Sequence, residues 1–536
     1  MAQISTQQTP LPKPVHRPSF GGGKRGFALL GLVVLIGGSY AASHFFRDLA
    51  GSRPLALLPF LLLAVALLTA LSFEFVNGFH DTANAVATVI YTRTLPPGAA
   101  VLWSGCWNFL GVLASSGVVA FSIIALLPPD LVLRVSSQAG FAMIFALLLS
   151  AILWNLGTWY LGLPASSSHT LIGSVIGVGL ASRLFSGRGD FSGIDWSQAV
   201  NVGKALLFSP LIGFALAWLL FVVSKALVRD RRLYLPPVGE KPPPLWIRSL
   251  LLLTCTGVSF AHGSNDGQKG MGLIMLILIG VVPTVYALNH AVPEGETHEL
   301  LAETNASIRI LDRYASPGIV PEGDPSARAM AFVQSRKLQP ETLPAIGQLL
   351  QEVAVQFGSY KSIAEVPAAQ VANIRNKLFV LNQALCVLTR SPQIALSASD
   401  REALTAYRHR LDRLIQFIPS WVKVAVALAL GLGTMVGWKR IVVTVGEKIG
   451  NEHLTYAQGA AAELTAMTTI GFADLLGLPV STTHVLSSGV AGTMTANGAG
   501  LQWRTVRNLA AAWILTLPVS ILLSGLLFAL MRWWGV

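Results

Sequence analysis

Two segments of the chain place an aspartate beside apolar runs long enough to cross a membrane. The first, Asn-Gly-Phe-His-Asp-Thr-Ala-Asn-Ala, centres on Asp81, and the second, His-Gly-Ser-Asn-Asp-Gly-Gln-Lys-Gly, centres on Asp266. A carboxylate at membrane depth costs at least about 2.5 to 3.5 kcal/mol. We therefore expect both aspartates to hold a coupling cation or accept a proton. The alternative is a structural role in which nearby amides satisfy each carboxylate, since Gly78 and Gly263 lie three residues before them.

A second pair of segments is rich in hydroxyl groups. Gly162-Leu-Pro-Ala-Ser-Ser-Ser-His-Thr-Leu recurs as Gly477-Leu-Pro-Val-Ser-Thr-Thr-His-Val-Leu. Because proline favours a helix start, these segments predict N-caps and hydroxyl-bearing first turns, formed by Ser166, Ser167 and Ser168 in one copy and by Ser481, Thr482 and Thr483 in the other. Free N–H groups, hydroxyls and the positive helix end together form an anion site. Packing between helices is the alternative for one copy, and the symmetric pair favours ligand contact.

The combination of anion donors and carboxylates restricts the ligand. A carboxylate beside an anion is tolerable if a cation accompanies the anion, or if the anion carries a proton that the carboxylate can accept. Protonated phosphate meets both conditions, whereas sulfate would leave Asp81 or Asp266 facing a like charge. The residues therefore favour phosphate with a co-transported cation and leave arsenate and other weak-acid oxyanions open.

Four histidines lie in or beside these segments. His169 and His484 lie one turn into the two predicted helices, where an imidazole orients or caps a neighbour or carries a coupling proton. His80 and His262 lie in the two aspartate segments and would titrate near pH 6.5 if unperturbed. Packing is the alternative for both.

Two further charged residues interrupt apolar stretches. Lys269 follows Asp266 by three residues, a spacing that places them on one helical face, where the lysine pairs with the carboxylate or contacts the anion. Glu463 lies inside an apolar run and is a further candidate for coupling.

The elements that position these residues are membrane helices. The 536 residues are 53% hydrophobic and only 12% charged, and the mean hydropathy is +0.59, whereas soluble domains carry roughly 25% charge. Apolar runs of the ~20 residues needed to cross a bilayer recur along the chain. The expected fold class is therefore all-α, a polytopic membrane bundle of about 11–12 transmembrane segments, which include runs at 247–260 and 271–288.

The paired segments indicate an internal repeat. The hydroxyl-rich copies lie 315 residues apart and the aspartate copies 185 apart, and the difference matches the length of a polar insert. We predict one repeat at 54–228 and a second that is split between 248–288 and 419–532. An odd number of crossings in each, with the aspartate segment breaking one long span, would make them inverted repeats that meet around a substrate at the bilayer midplane.

The segment 289–418 is predicted to be a soluble helical insert. Its 13 Lys and Arg balance its 13 Asp and Glu, and no catalytic motif occurs in it. Periodic apolar positions predict helices over 343–357 and 371–388, and a capping box of Ser399 with Glu402 predicts a third over 401–417.

The basic residues predict the orientation. The polar tail 1–25 and the linker 229–247 are rich in Lys and Arg and should be cytoplasmic, which places the insert on the outer face. The run 26–44 is interpreted as an extra anchor, although it also resembles a secretory signal. The net charge of +12 therefore reports topology and not nucleic-acid binding, because no basic stripe with interleaved aromatics is present.

With these motifs the chain resembles the inorganic phosphate transporter family, and specifically its bacterial low-affinity Pit branch. The resemblance extends from about residue 55 to the C-terminus and includes Trp154-Asn-Leu-Gly-Thr-Trp-Tyr and Gly433-Thr-Met-Val-Gly-Trp-Lys-Arg besides the paired segments. It implies a multi-pass inverted-repeat transporter of the bacterial inner membrane, and not an enzyme. The phosphate contacts that it implies are Asp81, Asn84, Ser166, Ser167, Asn265, Asp266, Ser481 and Thr482.

Three positions depart from the family pattern. His80 stands where the family has Asn before the aspartate, Lys269 stands where the first repeat has Asn84, and Asn108 stands where an acid is common. Sodium sites are therefore not transferred to this chain.

The Pit branch implies proton coupling, with phosphate also carried as a complex with a divalent metal, and no resident cofactor. The coupling candidates are Asp81, Asp266, His80, His169, His484 and Glu463. The expected partners are inorganic phosphate and the lipid bilayer, with no nucleic acid, and a homodimer is left open.

Three alternatives stay open on the residues. The first is a sodium-coupled symporter. An anion channel would share the dipole-lined pore but would not need buried acids. An intramembrane aspartyl protease also needs two aspartates, but its second one lies in a Gly-x-Gly-Asp sequence, and Gly263-Ser-Asn-Asp lacks the second glycine.

Overall fold

The computed structural model describes residues 24–50, 54–81, 83–127, 132–133, 137–185, 196–237, 239, 241–293, 295–360 and 362–534. Within these ranges the chain folds almost entirely as helices, and the one β-pairing is an isolated bridge between Gly450 and Leu501. The all-α class is thus confirmed. The predicted polar tail lies outside the described residues except for its last two positions.

The helices before the insert run through the first repeat and into the second. They are α1 (Lys24–Ala50), α2 (Leu57–Asp81), α3 (Ala83–Tyr91), α4 (Pro97–Ala114), α5 (Val118–Ile124), α6 (Gln138–Tyr160), α7 (Ser167–Phe185), α8 (Trp196–Leu227), α9 (Leu245–Val281) and α10 (Pro283–Tyr286). The insert then forms α11 (Gly295–Tyr314), α12 (Pro325–Ser335), α13 (Thr342–Gly358), α14 (Ala368–Arg390) and α15 (Ala398–Ile415). The chain ends with α16 (Ser420–Thr434), α17 (Lys439–Glu447), α18 (Tyr456–Leu475), α19 (Thr482–Ala496) and α20 (Trp503–Trp533).

Several helices are long and apolar enough to cross a membrane, which confirms a multi-pass membrane protein. Seven such helical stretches occur among the described residues, or eight if the bent pair α15 and α16 is counted as one span. The predicted 11–12 segments include runs that do not form separate spans. The runs 247–260 and 271–288 fall largely within the single 37-residue helix α9, and α16 and α19 have 15 residues each, fewer than the ~20 of a full crossing.

The second aspartate segment does not break its helix, so this part of the prediction is wrong. Helix α9 continues through Asp266. Its carboxylate finds partners on the same helix, His262 one turn earlier and Lys269 one turn later, and needs no free backbone N–H groups. In the first repeat, α2 and α3 stand on either side of residue 82, which lies outside the described residues, and the stretch Leu57–Tyr91 counts as one candidate span.

The helices of the two predicted repeats pack against each other in reciprocal pairs. Helix α2 packs on α16 and α9 packs on α4, while α7 packs on α20 and α19 packs on α8. The two halves of the chain are therefore interleaved, and each paired segment faces elements of the other half.

Two glycines permit this interleaving. A Cβ on Gly78 would lie 2.3 Å from the carbonyl oxygen of Leu430 on α16, and one on Gly263 would lie 2.1 Å from that of Asn108 on α4. Both contacts are too short for any side chain. The glycine three residues before each aspartate thus allows two helix backbones to touch.

The insert is helical, and its buried apolar residues form one continuous core with those of the membrane helices. The predicted helices over 343–357 and 371–388 are confirmed as α13 and α14. The predicted cap at Ser399 is wrong, because α15 begins at Ala398 and the Ser397 side chain accepts the N–H of Asp400 at 3.1 Å. Ser397 and Asp400 form the same Ser-x-x-acid pattern two residues earlier.

The insert joins the membrane helices beside the end of α1. The carboxylate of Asp48 near the C-terminus of α1 accepts the hydroxyl of Tyr286 at 2.7 Å and the indole N–H of Trp421 at 3.1 Å. These two aromatic residues stand just before and just after the insert. The side of the membrane on which the insert lies stays a prediction, because it depends on the cytoplasmic location expected for the tail before α1.

Candidate functional site

The two aspartates meet across one serine hydroxyl. Ser167 Oγ lies 2.9 Å from Asp81 Oδ2 and 3.5 Å from Asp266 Oδ2, and all three residues are buried. The serine is the first residue of α7, so a carboxylate from each half of the chain meets the start of the first hydroxyl-rich helix. Since a hydroxyl has one proton to donate, Ser167 serves one carboxylate at a time.

Asp81 is further held by the second hydroxyl-rich segment. The hydroxyl of Thr483, in the first turn of α19, donates to Asp81 Oδ1. His80 Nδ1 lies 3.3 Å from the same oxygen, and its Nε2 lies 3.2 Å from the Thr158 hydroxyl on α6. The hydrogen bonds described for this carboxylate therefore come from side chains of two other helices, α7 and α19, and from His80 on its own helix.

Asp266 is paired with two basic side chains of α9. Lys269 Nζ lies 2.8 Å from Asp266 Oδ1, and His262 Nε2 lies 3.3 Å from Oδ2. The ammonium also donates to Ser167 Oγ at 3.2 Å, while His262 Nδ1 lies 2.8 Å from Asn108 Oδ1. Lys269 thus does pair with Asp266 as its spacing predicts, and a chain of polar contacts joins Lys269 through Ser167 to Asp81.

The two hydroxyl-rich segments begin helices as expected. Ser166 Oγ accepts the N–H of His169 at 3.1 Å, and Ser481 Oγ accepts the N–H of His484 at the same distance, so both predicted N-caps are confirmed. The turns before them use Gly162 and Gly477 at φ of +68° and +67°, a conformation that glycine adopts without strain.

The starts of α7 and α19 face each other. The rings of His169 and His484 lie 4.7 Å apart, and the His484 ring lies 4.2 Å from that of Trp513. Ser168 Oγ donates to the carbonyl of Val480 at 2.7 Å, which ties the first helix start to the turn before the second. The two positive helix ends are therefore brought to one place.

Several buried polar atoms at this meeting point have no hydrogen-bond partner within the described part of the chain. They are Thr482 Oγ1, Asn265 Oδ1, His169 Nδ1 and His484 Nε2. A buried polar group left unpaired costs about 1–3 kcal/mol. Thr482 and Asn265 are the sequence neighbours of Thr483 and Asp266, and unpaired groups at the starts of two helices are expected where a polar ligand binds. Asn265 Nδ2 donates to the carbonyl of Leu478 at 3.1 Å and so holds α9 against the turn that precedes α19.

Two of the predicted residues stand apart from this cluster. The side chain of Asn84 lies outside the described residues. Glu463 on α18 is fully buried, but it accepts the hydroxyls of Thr88 and Thr254, the latter at 2.5 Å, in a separate polar contact among α3, α9 and α18. No contact of Glu463 with either aspartate occurs among the described residues.

One buried acid near the cluster was missed by the sequence analysis. Glu74 lies two helical turns before Asp81 on α2 and is fully buried, with Asn77 Nδ2 donating to it at 3.5 Å. A Cβ on Gly270 of α9 would lie 2.2 Å from Glu74 Cγ, so this side chain touches the turn that carries Lys269. The signal was an acid inside an apolar helix at a spacing of seven from Asp81.

Three ligand atoms of this site are close enough to share a cation. One atom each from Asp81, His262 and Asp266 lies within 4.8 Å of the others. Carboxylate oxygens suit Mg²⁺, and an imidazole adds affinity for transition metals. These three donors are of the types that bind divalent cations.

Comparison with known proteins identifies related sequences over most of the chain. The model of the phosphate transporter family matches residues 77–524. The low-affinity inorganic phosphate transporter PitA of Escherichia coli (strain K12) is 40% identical over 488 residues, covering 87% of this chain and 96% of that protein. PitB of the same strain is 40% identical over 481 residues, with the same coverage of both chains.

A more distant relative and one solved structure also match. The probable low-affinity inorganic phosphate transporter of Bacillus subtilis (strain 168) is 26% identical over 473 residues, covering 88% of this chain and 98% of that protein. A solved structure described as the sodium-dependent phosphate transporter matches at a TM-score of 0.47 and 17% identity, covering 88% of this chain and 99% of that one.

Proposed function

The chain belongs to the phosphate transporter family, and we propose that it takes up inorganic phosphate across the bacterial inner membrane as a secondary symporter driven by protons. Membership confirms the predicted resemblance and the expectation of a transporter and not an enzyme. The observation that supports the proposal best is the junction at Ser167, where two buried carboxylates meet the start of a hydroxyl-rich helix.

In this proposal phosphate binds between the starts of α7 and α19. Its oxygens accept from first-turn hydroxyls and from N–H groups at the positive helix ends. Thr482 Oγ1 is free to donate to a phosphate oxygen, and Asn265 Oδ1 is free to accept from a protonated one. Ser166 and Ser481 hold the two helix starts in place as caps. Asn84 and Ser167 complete the proposed contacts.

The two aspartates provide the coupling. Phosphate near neutral pH carries at least one proton, and a carboxylate that accepts this proton, or one from outside, relieves its repulsion with the anion. Asp81 suits this role because its described partners are hydroxyls and His80, whereas Asp266 already has an ammonium beside it. His169, His484 and the more distant Glu463 are the further proton carriers of the proposal.

Alternating access follows from an inverted repeat. Reciprocal packing, in which α2 pairs with α16 as α9 pairs with α4, supports a symmetric exchange between two arrangements of the same contacts. We propose that one half rocks against the other and opens the buried site to each side in turn.

A divalent metal enters this scheme as cargo. The three donors Asp81, His262 and Asp266 would hold the cation of a metal–phosphate complex beside the phosphate oxygens. An anion channel would not need these buried acids, so the symporter accounts for more of the site.

The test is labelled phosphate uptake by proteoliposomes, with proton and sodium gradients imposed separately and with magnesium present or absent. We expect accumulation with an inward proton gradient alone and stimulation by magnesium. Accumulation that requires sodium at a fixed pH gradient would reject proton coupling in favour of the sodium alternative. Flux that does not saturate with phosphate and only dissipates its own gradient would favour the channel.

A further inference from the structure

Lys269 is an ammonium buried at the centre of the proposed site. Its side chain has almost no exposed surface, and Nζ lies 2.8 Å from Asp266 Oδ1 and 3.2 Å from Ser167 Oγ. A buried ammonium is costly unless it is paired and hydrogen-bonded. Both of these contacts are with residues of the proposed phosphate and coupling site, so the charge stands where substrate and cations would meet.

The repeat provides a comparison position for this charge. The spacing of 185 residues that relates Asp81 to Asp266 also relates Asn84 to Lys269. One half therefore has a neutral amide where the other half has a fixed cation. The aspartate is kept in both halves, while the residue three positions after it is neutral in the first half and cationic in the second.

The charges of the site indicate what the ammonium does. Asp81 and Asp266 contribute two negative charges within a group of atoms close enough to bind a cation. An anion can enter such a site only if positive charge is supplied, because like charges at short range repel strongly in a medium of low dielectric constant. If asparagine stood at position 269 as it does at position 84, a mobile cation would have to supply the positive charge.

We propose that Lys269 is a tethered counter-cation that takes the place of a bound monovalent metal ion, so that phosphate binds without sodium. This inference rests on the proposed function and deepens it. The ammonium balances the charge of Asp266 through their 2.8 Å contact and cannot leave with the substrate. Asp81 has no Lys or Arg among its described contacts, so the tethered charge pairs with Asp266 alone.

The test replaces Lys269 by asparagine, the residue at the corresponding position 84 of the first repeat. Lys269→Asn, Lys269→Gln and the charge-keeping Lys269→Arg are reconstituted beside the wild type. Labelled phosphate uptake is then measured at one fixed pH gradient in choline medium and in sodium medium. The wild-type rate should be the same in both media, and the rate of Lys269→Arg, whatever its size, should likewise not respond to sodium. The two neutral variants should be slow in choline, and sodium should raise their rates by roughly tenfold, within the range typical of coupling between two bound ligands.

A binding measurement covers variants that fold but do not transport. Sodium that occupies the vacated position must stabilise the folded protein by mass action. The unfolding temperature of Lys269→Asn and Lys269→Gln in detergent should therefore rise with sodium at constant ionic strength, while that of the wild type should not.

The outcomes separate this inference from the proposed function. If the wild type takes up no phosphate, the proposed function fails. If the wild type transports but neither neutral variant responds to sodium, in rate or in unfolding temperature, the tethered-cation role of Lys269 is wrong while phosphate uptake stands. A wild type that itself requires sodium would also overturn it.

Discussion

Gly78 offers a quantitative test of the interleaved packing, because its contact with α16 sets the position of Asp81. A Cβ added there would lie 2.3 Å from the carbonyl oxygen of Leu430 and 3.0 Å from the Cα of Gly433. Real Cβ atoms do not approach closer than 3.0 Å, so Gly78→Ala must separate α2 from α16 by about 0.7 Å. Both nearest groups are backbone, and no flexible side chain can yield.

Two costs follow from this shift. Overpacking of this kind costs typically about 1–3 kcal/mol, against a gain of about 0.5–1 kcal/mol from replacing glycine by alanine in a helix. The net loss of unfolding free energy is thus about 1–2 kcal/mol. Asp81 lies one turn further along α2, and a misplacement of about 1 Å in a site can reduce its rate by about 100-fold. We therefore expect the rate of phosphate uptake to fall by up to about 100-fold, although the unfolding free energy falls by only about 1–2 kcal/mol.

The assay compares Gly78→Ala with Gly157→Ala, a matched control on α6. A Cβ at Gly157 would meet no heavy atom within 4 Å, so that variant should be as stable as the wild type or slightly more stable, with full uptake. Unfolding temperature in detergent and labelled phosphate uptake in proteoliposomes are measured on both. Equal stability and equal uptake for the two variants would refute the close contact between α2 and α16.

Three further outcomes are expected. Ser481→Ala removes the N-cap of α19 and should lower the unfolding free energy by about 1 kcal/mol, measured by thermal unfolding in detergent; an unchanged value would deny the cap its role. Glu463→Gln should keep phosphate exchange but weaken uptake driven by a pH gradient, since an amide of the same shape can still contact Thr88 and Thr254 but cannot take up and release a proton; unaltered gradient-driven uptake would remove Glu463 from the coupling candidates. In the insert, burial lowers the pKa of Arg375 to about 10, and its described polar contact is one 3.3 Å hydrogen bond to Asn376. Arg375→Met should therefore slow hydrogen exchange in α14 of the full chain, and faster exchange would show that the charge is stabilising.

The features that depend on local chemistry could be predicted from the sequence. The two N-caps follow from the residue order Pro-x-Ser and from the oxygen that a serine offers to the helix start. Lys269 and Asp266 pair because residues three apart share a helical face. The recurrence of both segments predicted that the two repeats meet around one site, and Asp81 and Asp266 do meet at Ser167.

The features that depend on contact between the two halves of the chain could not be predicted from the sequence. Ser167 bridges the aspartates because α2, α7 and α9 converge, and nothing in its own segment distinguishes it from Ser168, which bonds to Val480 instead. Thr483 contacts Asp81, while Thr482 is the residue implied by resemblance. The continuity of α9 depends on side chains that satisfy Asp266 internally, and apolar runs alone suggested two segments.

Phosphate accumulation by proteoliposomes of the aspartate variants decides whether the paired carboxylates drive transport. Asp81→Asn and Asp266→Asn are compared with the wild type and with Asp312→Asn, an exposed aspartate of the insert, under an inward proton gradient. We expect the wild type and Asp312→Asn to accumulate labelled phosphate and both site variants to lose accumulation while remaining folded. Full accumulation by both Asp81→Asn and Asp266→Asn would contradict the assignment of the site.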